Sequence, residues 1–310
     1  MNPQHPQTDH SRAVARYYDQ NTRRFVRWGK NQGTQNIHQA LWAEGVKSQA
    51  EAVNYANQLI ANQLQELEAP QQVMDLGCGV GSALFYLAER SDENIRFSGV
   101  TISATQAEIG QRRAAELGLA DRCQVLQGDF LDLPEGPPLD LAYAIEAFLH
   151  AADPQRFFAQ VGSRLRPGGR LVLIDDFRTE KAASSQQATR LLEDFRQGWL
   201  AGSLITVAQA AKLAAREGLA LRQDRDLTPL MALGRPRDRF IGLMYRFFRN
   251  TMKRSTYLQA FSGGYAKQQC LSRDWSRTAC WYGRKRGEGR DGFERSTEIA
   301  RSGSLFRQHP

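Results

Sequence analysis

The sequence predicts an α/β protein: a doubly wound sheet of seven strands, with a helical cap before the first strand and a helical insertion after the fifth. Three observations predict it. From residue 71 onward short apolar runs alternate with helical periodicity at the spacing of βαβ units. The first run, Val73-Met74-Asp75-Leu76, breaks into glycine at three alternate positions, Gly77, Gly79 and Gly81, and then into a helical pattern. A chain of 310 residues, 41% of them hydrophobic, is long enough to bury one large core.

The elements follow in order. Residues 1–69 form the cap: a helix over 11–30 carries Val14, Tyr17, Tyr18, Phe25, Val26 and Trp28 among arginines, a loop or short helix over 33–45 holds His38 and Trp42, and an amphipathic helix over 48–68 ends before Pro70. Because these elements precede the sheet, they are expected over its carboxyl edge. Residues 70–178 form the core, with strands at 72–76, 95–101, 123–127, 139–144 and 170–177. Helices over 81–90, 104–117 and 154–165 connect them, the last leading into the turn Arg166-Pro167-Gly168-Gly169. Asp175 and Asp176 end the fifth strand, where a solvated loop is the default reading.

Over 179–283 the alternation loosens. Helices are expected over 186–198 and 207–217, and a sixth strand over 219–227. A basic, aromatic helix over 238–250 starts at Asp238, a helix through Tyr257 and Phe261 reaches Gly263-Gly264, and a last strand covers 278–282. Residues 284–310, rich in arginine, glycine, glutamate and serine with almost no apolar periodicity, are expected to be a disordered basic tail.

Composition narrows the function. The net charge of +8 suits solubility or attraction of phosphates and acidic lipids. The four cysteines include no Cys-x-x-Cys pair and no neighbouring histidine cluster, so reduced thiols are expected, with no zinc site and no disulfide framework. A polar amino terminus and the lack of any stretch of membrane-span length point to a cytoplasmic protein.

The glycine turn is a nucleotide-type site, since a backbone that offers its own amides to a ligand has no room for Cβ atoms. Ser82 stands where the dinucleotide fingerprint Gly-x-Gly-x-x-Gly needs its third glycine, which makes NAD the second reading. The full string Met74-Asp75-Leu76-Gly77-Cys78-Gly79-Val80-Gly81 resembles motif I of the class I S-adenosylmethionine-dependent methyltransferases. The resemblance implies a Rossmann-like fold and S-adenosyl-L-methionine as cofactor. It places Asp75, Gly77, Gly79 and Gly81 around the amino-acid moiety.

At the second strand end, Gly99-Val100-Thr101-Ile102-Ser103-Ala104-Thr105-Gln106 lacks the carboxylate that many methyltransferases place at the ribose. It resembles instead a string of the cyclopropane-fatty-acid synthases and tocopherol methyltransferases, which implies Thr101, Ile102 and Gln106 near the ribose. Ser103 also reads as a helix N-cap. At the third strand end, Asp129 and Phe130 pair a carboxylate with an aromatic ring, which suits the amino group and flat face of an adenine.

The fourth strand ends in Tyr143-Ala144-Ile145-Glu146-Ala147-Phe148-Leu149-His150, without the Asn/Asp-Pro-Pro-aromatic tetrapeptide of nucleic-acid amino-methyltransferases. It resembles the sterol C-methyltransferases, as do Leu165-Arg166-Pro167-Gly168-Gly169 and, more faintly, Tyr17-Tyr18-Asp19 and Ile37-His38. Glu146 and His150 are the candidate catalytic groups, either removing a proton or steadying positive charge; the competing reading is that Glu146 satisfies backbone amides and His150 begins a helix. Tyr17, Tyr18, Trp28, His38 and Phe148 are candidate acceptor contacts.

The expected function is C-methylation of an isoprenoid or related apolar small molecule in secondary metabolism. A prenyl diphosphate is one candidate acceptor, met by the basic helix over 238–250. The alternatives are a small-molecule O- or N-methyltransferase of natural-product biosynthesis, and an RNA-binding protein that retains the fold. The missing Pro-Pro tetrapeptide argues against nucleic acid, and a homo-oligomer is left open.

Overall fold

The computed structural model describes residues 9–31, 38–234, 245 and 256–287. Helix α1 (Asp9–Asn31) and helix α2 (Gln49–Gln65) precede strand β1 (Gln72–Leu76). Then follow α3 (Ser82–Ala88), β2 (Arg96–Thr101), α4 (Ala104–Glu116), β3 (Cys123–Gln127) and β4 (Leu139–Ile145). A 3-10 turn at Phe148–His150 leads through α5 (Pro154–Arg164) to β5 (Leu165–Arg178). The remainder is α6 (Gln186–Gly198), α7 (Val207–Arg216), β6 (Leu219–Asp226), α8 (Thr256–Ser272) and β7 (Ser276–Lys285).

The seven strands form one sheet in the order β3-β2-β1-β4-β5-β7-β6. Strands β1 to β5 pair in parallel; β7 runs antiparallel between β5 and β6. The order reverses between β1 and β4, and ligands of doubly wound sheets sit outside the carboxyl ends of the strands at such a switch point. In register, Asp75 of β1 faces Gly99 of β2 on one side and Tyr143 of β4 on the other.

Side-chain caps start several helices where Ser, Thr or Asp stood in the sequence: Ser48, Ser103, Asp153, Ser185 and Thr206, the last in a capping box with Gln209. One face of the sheet packs on α2, α3 and α4 through Ile60, Leu64, Leu84, Leu87, Ala107 and Val125. The other face packs on α5 and α7 through Phe157, Phe158, Val161, Ala210 and Ala214. A small third cluster joins α6 and α8 (Leu191, Phe195, Ala266, Cys270). All four cysteines are free and buried.

Several expectations change. Helix α2 lies along the sheet instead of over the strand ends, because its Ala52, Val53, Ala56, Ile60 and Leu64 stripe belongs to the core. Only α1 of the two cap helices lines the site cavity along its length, leaning on α4. Asp175 and Asp176 are 1% and 2% exposed, since β7 and α8 close over the strand end that a loop was expected to leave in water. Strand β7 extends to Lys285, so 284 and 285 belong to the sheet and not to a tail; 288–310 lie outside the described residues. The basic helix over 238–250 also lies outside them, apart from Tyr245.

Candidate functional site

The carboxyl ends of β1 to β4, together with α1, the turn after β4, Trp199 beyond the end of α6, and α8, surround one cavity of about 860 Å³. That is at the upper end of the roughly 300–1,000 Å³ of small-molecule sites, room for two ligands side by side.

The glycine turn forms its floor. The amides of Gly77 and Cys78 both donate to Val100 O, at 2.8 and 3.0 Å, which pins the turn to β2. Gly77 and Gly79 have φ of +95° and +55°. A Cβ on Gly77 would stand 2.4 Å from that of Ala147, whereas one on Gly79 would meet nothing nearer than Gln106 Nε2 at 3.9 Å. The space above Gly79 is therefore open to a ligand. Gly81 does not line the cavity: it is the N-terminal cap of α3, where a Cβ would strike the Phe85 ring at 2.8 Å. Asp75, 3% exposed and beside the Tyr143 phenol, is pushed up to about 7 by burial.

At the end of β2, Thr101 Oγ1 donates to Gln106 Oε1 at 2.6 Å, and the backbone N–H of Gln106 is taken by the Ser103 cap at 3.1 Å. Asp19 of α1 accepts from Ser103 Oγ at 2.5 Å and from the Thr105 N–H at 3.2 Å, bringing a negative charge to the first turn of α4. At the end of β3, Asp129 accepts from Leu131 N at 2.9 Å and from Ser11 Oγ of α1 at 3.0 Å, with Phe130 beside it on the cavity wall.

The turn after β4 carries the candidate catalytic groups. Glu146 has φ +53°, a strained conformation for a residue with a side chain, held by the bond from its N–H to Ile174 O. One carboxylate oxygen accepts from Gln39 N at 2.7 Å; the residue lines the cavity with His38. Burial lowers the His38 pKa, opposed by the Glu146 charge. His150 sits in the 3-10 turn, whose Leu149 N–H donates to Asp175 at 3.0 Å. Its Nδ1 bonds Leu200 O at 3.1 Å, so that nitrogen carries the hydrogen and Nε2 accepts from the Tyr18 hydroxyl at 2.9 Å. Burial holds this imidazole neutral, its pKa down at about 4, and the Tyr18 phenol is pushed well up by the same cause.

The structure thus brings Asp75, Gly77, Gly79, Thr101, Ile102, Gln106, Asp129, Phe130, Tyr17, Tyr18, His38, Glu146 and His150 to one cavity. Phe148 is not among them. It is fully buried against Phe157, Phe158 and Phe177, because the 3-10 turn directs it into the core. Trp28 belongs to α1, but its side chain lies outside the described residues. Sequence reasoning missed Trp199, Tyr265, Lys267 and Asp176, which also line the cavity. The one available signal was a lone lysine in the small, apolar stretch Gly263-Gly264-Tyr265-Ala266-Lys267. No cluster of metal-ligating side chains occurs among the described residues, and no described helix is long and apolar enough to cross a membrane.

Comparison with known proteins adds to this geometry. The mycolic acid cyclopropane synthetase family matches residues 5–227. The methyltransferase GfsG of Streptomyces halstedii is 29% identical over 222 residues, 70% of this chain and 76% of that protein. The 24-methylenesterol C-methyltransferase 2 of Arabidopsis thaliana is 27% identical over 183 residues, 58% of this chain and 50% of its own length, so the chain spans half of that enzyme. Among solved structures, geranyl diphosphate C-methyltransferase from Streptomyces coelicolor A3(2), in complex with Mg2+, geranyl-S-thiolodiphosphate and S-adenosyl-L-homocysteine, superposes with a TM-score of 0.69. It covers 91% of this chain and 99% of that one at 18% identity, a likeness of fold.

Proposed function

We propose that this chain, which belongs to the mycolic acid cyclopropane synthetase family and is an S-adenosylmethionine-dependent small-molecule methyltransferase, methylates a carbon of an isoprenoid or related apolar alkene. The cavity suits the cofactor: it has an open cradle above Gly79, a buried carboxyl at Asp75, and the Asp129–Phe130 pair for an adenine. Gly77, Gly79, Thr101, Ile102 and Gln106 would hold the amino-acid and ribose parts between them. S-adenosylmethionine supplies, when bound, a methyl group on a sulfonium centre.

What remains for the protein is to align the acceptor, exclude water and manage the charge that appears on the acceptor. An alkene that attacks with its π electrons becomes a carbocation, which aromatic faces stabilise and a base must discharge. Tyr17, Tyr18, Trp199, Phe261 and Tyr265 line the cavity. The observation that carries the reading is Glu146: a carboxylate fixed through one oxygen by Gln39 N, on a strained turn, in a cavity with these rings. In this reading it attracts the cation and takes the proton that restores the double bond. The isoprenoid class is supported by the likeness to the sterol and geranyl diphosphate enzymes. Among the described lining residues Lys267 is the one lysine or arginine, and it is paired with Asp176.

The test is product analysis by mass spectrometry after incubation with methyl-deuterated S-adenosylmethionine and a panel of prenyl diphosphates, prenyl alcohols, sterols, phenols and amines. Label on an isoprenoid carbon is expected. Label on a phenol or amine would replace this reading with a second one, O- or N-methylation.

A further inference from the structure

The wall that α8 and the end of β5 give the cavity contains an ion pair that the methyl-transfer chemistry does not use. Helix α8 presents Ala260, Phe261, Gly264, Tyr265, Gln268 and Leu271 to the cavity, and one charge among them, Lys267, which is 3% exposed. Its ammonium is paired with the Asp176 carboxylate at the end of β5. Asp176 is fixed from behind, its other oxygen accepting from Thr278 Oγ1 of β7 at 2.6 Å. The Lys267 nitrogen also lies 4.8 Å from the Trp199 ring centre and 6.0 Å from that of Phe195. Among the described residues this fully buried nitrogen makes no hydrogen bond of good geometry.

A buried ammonium has three hydrogens to donate, and a carboxylate on one side and aromatic rings on another cannot take them all. Leaving such donors unmet in a low-dielectric site is costly, so a group that enters the cavity and accepts from them is favoured. The charge of the lysine is already matched by Asp176. An added anion would leave the pocket end net negative and pay for its own desolvation, whereas a neutral oxygen would not.

Resting on the methyltransferase reading above, we infer that Lys267 anchors a neutral oxygen of the acceptor, a hydroxyl or carbonyl. The acceptor is then bipolar in use: its alkene lies by Glu146 and its oxygen on the Lys267–Asp176 pair. Lys267 comes from α8 and Asp176 from β5, and Thr278 of β7 holds the carboxylate oxygen that the lysine does not. This assigns specificity for the acceptor's oxygen to the wall that α8 and the end of β5 give the cavity.

The test measures dissociation constants by quenching of tryptophan fluorescence, Trp199 standing beside the lysine, in the presence of S-adenosylhomocysteine. The probes share one fifteen-carbon chain: farnesene, farnesol and farnesyl diphosphate. The proteins are wild type, Lys267→Met, and Lys267→Met with Asp176→Leu, which replaces the pair by apolar side chains so that no lone buried carboxylate remains to threaten folding. Farnesol binding is expected to weaken relative to farnesene by about tenfold in both variants, the scale of a hydrogen bond to a charged group. S-adenosylhomocysteine affinity is expected to stay unchanged. An unchanged farnesol-to-farnesene ratio would overturn the anchor and leave the apolar acceptor standing. A farnesyl diphosphate preference that the variants abolish would overturn the neutral oxygen in favour of an anion site. Binding of none of the three by a wild type that still binds S-adenosylhomocysteine would overturn the apolar acceptor and the anchor together.

Discussion

The Tyr18 hydroxyl donates to His150 Nε2 at 2.9 Å, while His150 Nδ1 donates to Leu200 O at 3.1 Å. One neutral imidazole therefore ties α1, the turn after β4 and the loop after α6 together beside the cavity. Its neutrality has a consequence for stability. The folded protein holds the His150 pKa at about 4, against 6.5 for an unperturbed imidazole, so between those values the unfolded chain binds a proton that the folded chain refuses. His150 thus makes stability rise with pH across that window, and its contribution is lost as pH falls through it. Asp75 and Asp175, raised to about 7, act in the opposite sense, losing stability as pH rises toward 7. The measurement is accordingly a difference. Denaturant unfolding of wild type and His150→Gln should show the wild-type advantage growing with pH by on the order of 1–3 kcal/mol. A pH-independent difference would mean that the imidazole is not buried in its neutral form.

Glu146→Gln keeps an oxygen for Gln39 N and removes the base. Turnover is expected to fall by roughly 10²–10⁴, the range of a lost general base, with S-adenosylhomocysteine affinity unchanged. Steady-state kinetics and calorimetric titration check it. Equal losses in both would make Glu146 a structural or cofactor contact.

Asp19 holds α1 against the first turn of α4 through Ser103 and Thr105. Asp19→Ala should cost about 1–2 kcal/mol and raise the dissociation constant for S-adenosylhomocysteine, because the wall that α1 adds to the cavity loosens. Hydrogen exchange over residues 9–31 should accelerate in the variant. Unchanged protection there would show that α1 docks without this contact.

Two glycines of the turn should fail differently. Gly77→Ala forces a Cβ to within 2.4 Å of Ala147 at φ +95°, so it should destabilise the fold by about 2–4 kcal/mol, seen as a lowered Tm. Gly79→Ala, at φ +55° with open space above it, should cost only about 1 kcal/mol of stability yet weaken S-adenosylhomocysteine binding at least tenfold. If Gly79→Ala bound the cofactor product normally, the ligand would not lie over this turn.

Much of the core was legible because its signals are local. The alternation of strand and helix, the Ser103 cap and the glycine string each depend on residues within a few positions of one another, and they located β1 to β5 within a residue or so, apart from the start of β5. The position of α2 was not legible, since an amphipathic stripe says that a face is buried without saying against what. Phe148 had the same ambiguity. An aromatic residue next to candidate catalytic groups reads alike whether it faces the cavity or the core, and here the 3-10 turn sends it to the core.

By itself the sequence determined the order of the elements, the nucleotide-type turn and the candidates at the strand ends, because backbone geometry and hydrophobic periodicity are written in neighbouring residues. Only the tertiary structure decided that Asp19 meets Ser103 at the start of α4, that Tyr18 meets His150, and that Lys267 pairs with Asp176. Each of those contacts joins segments that lie 84 or more positions apart. The chain path alone brings them within reach, and the cost of leaving a buried polar group unpaired then selects the partner.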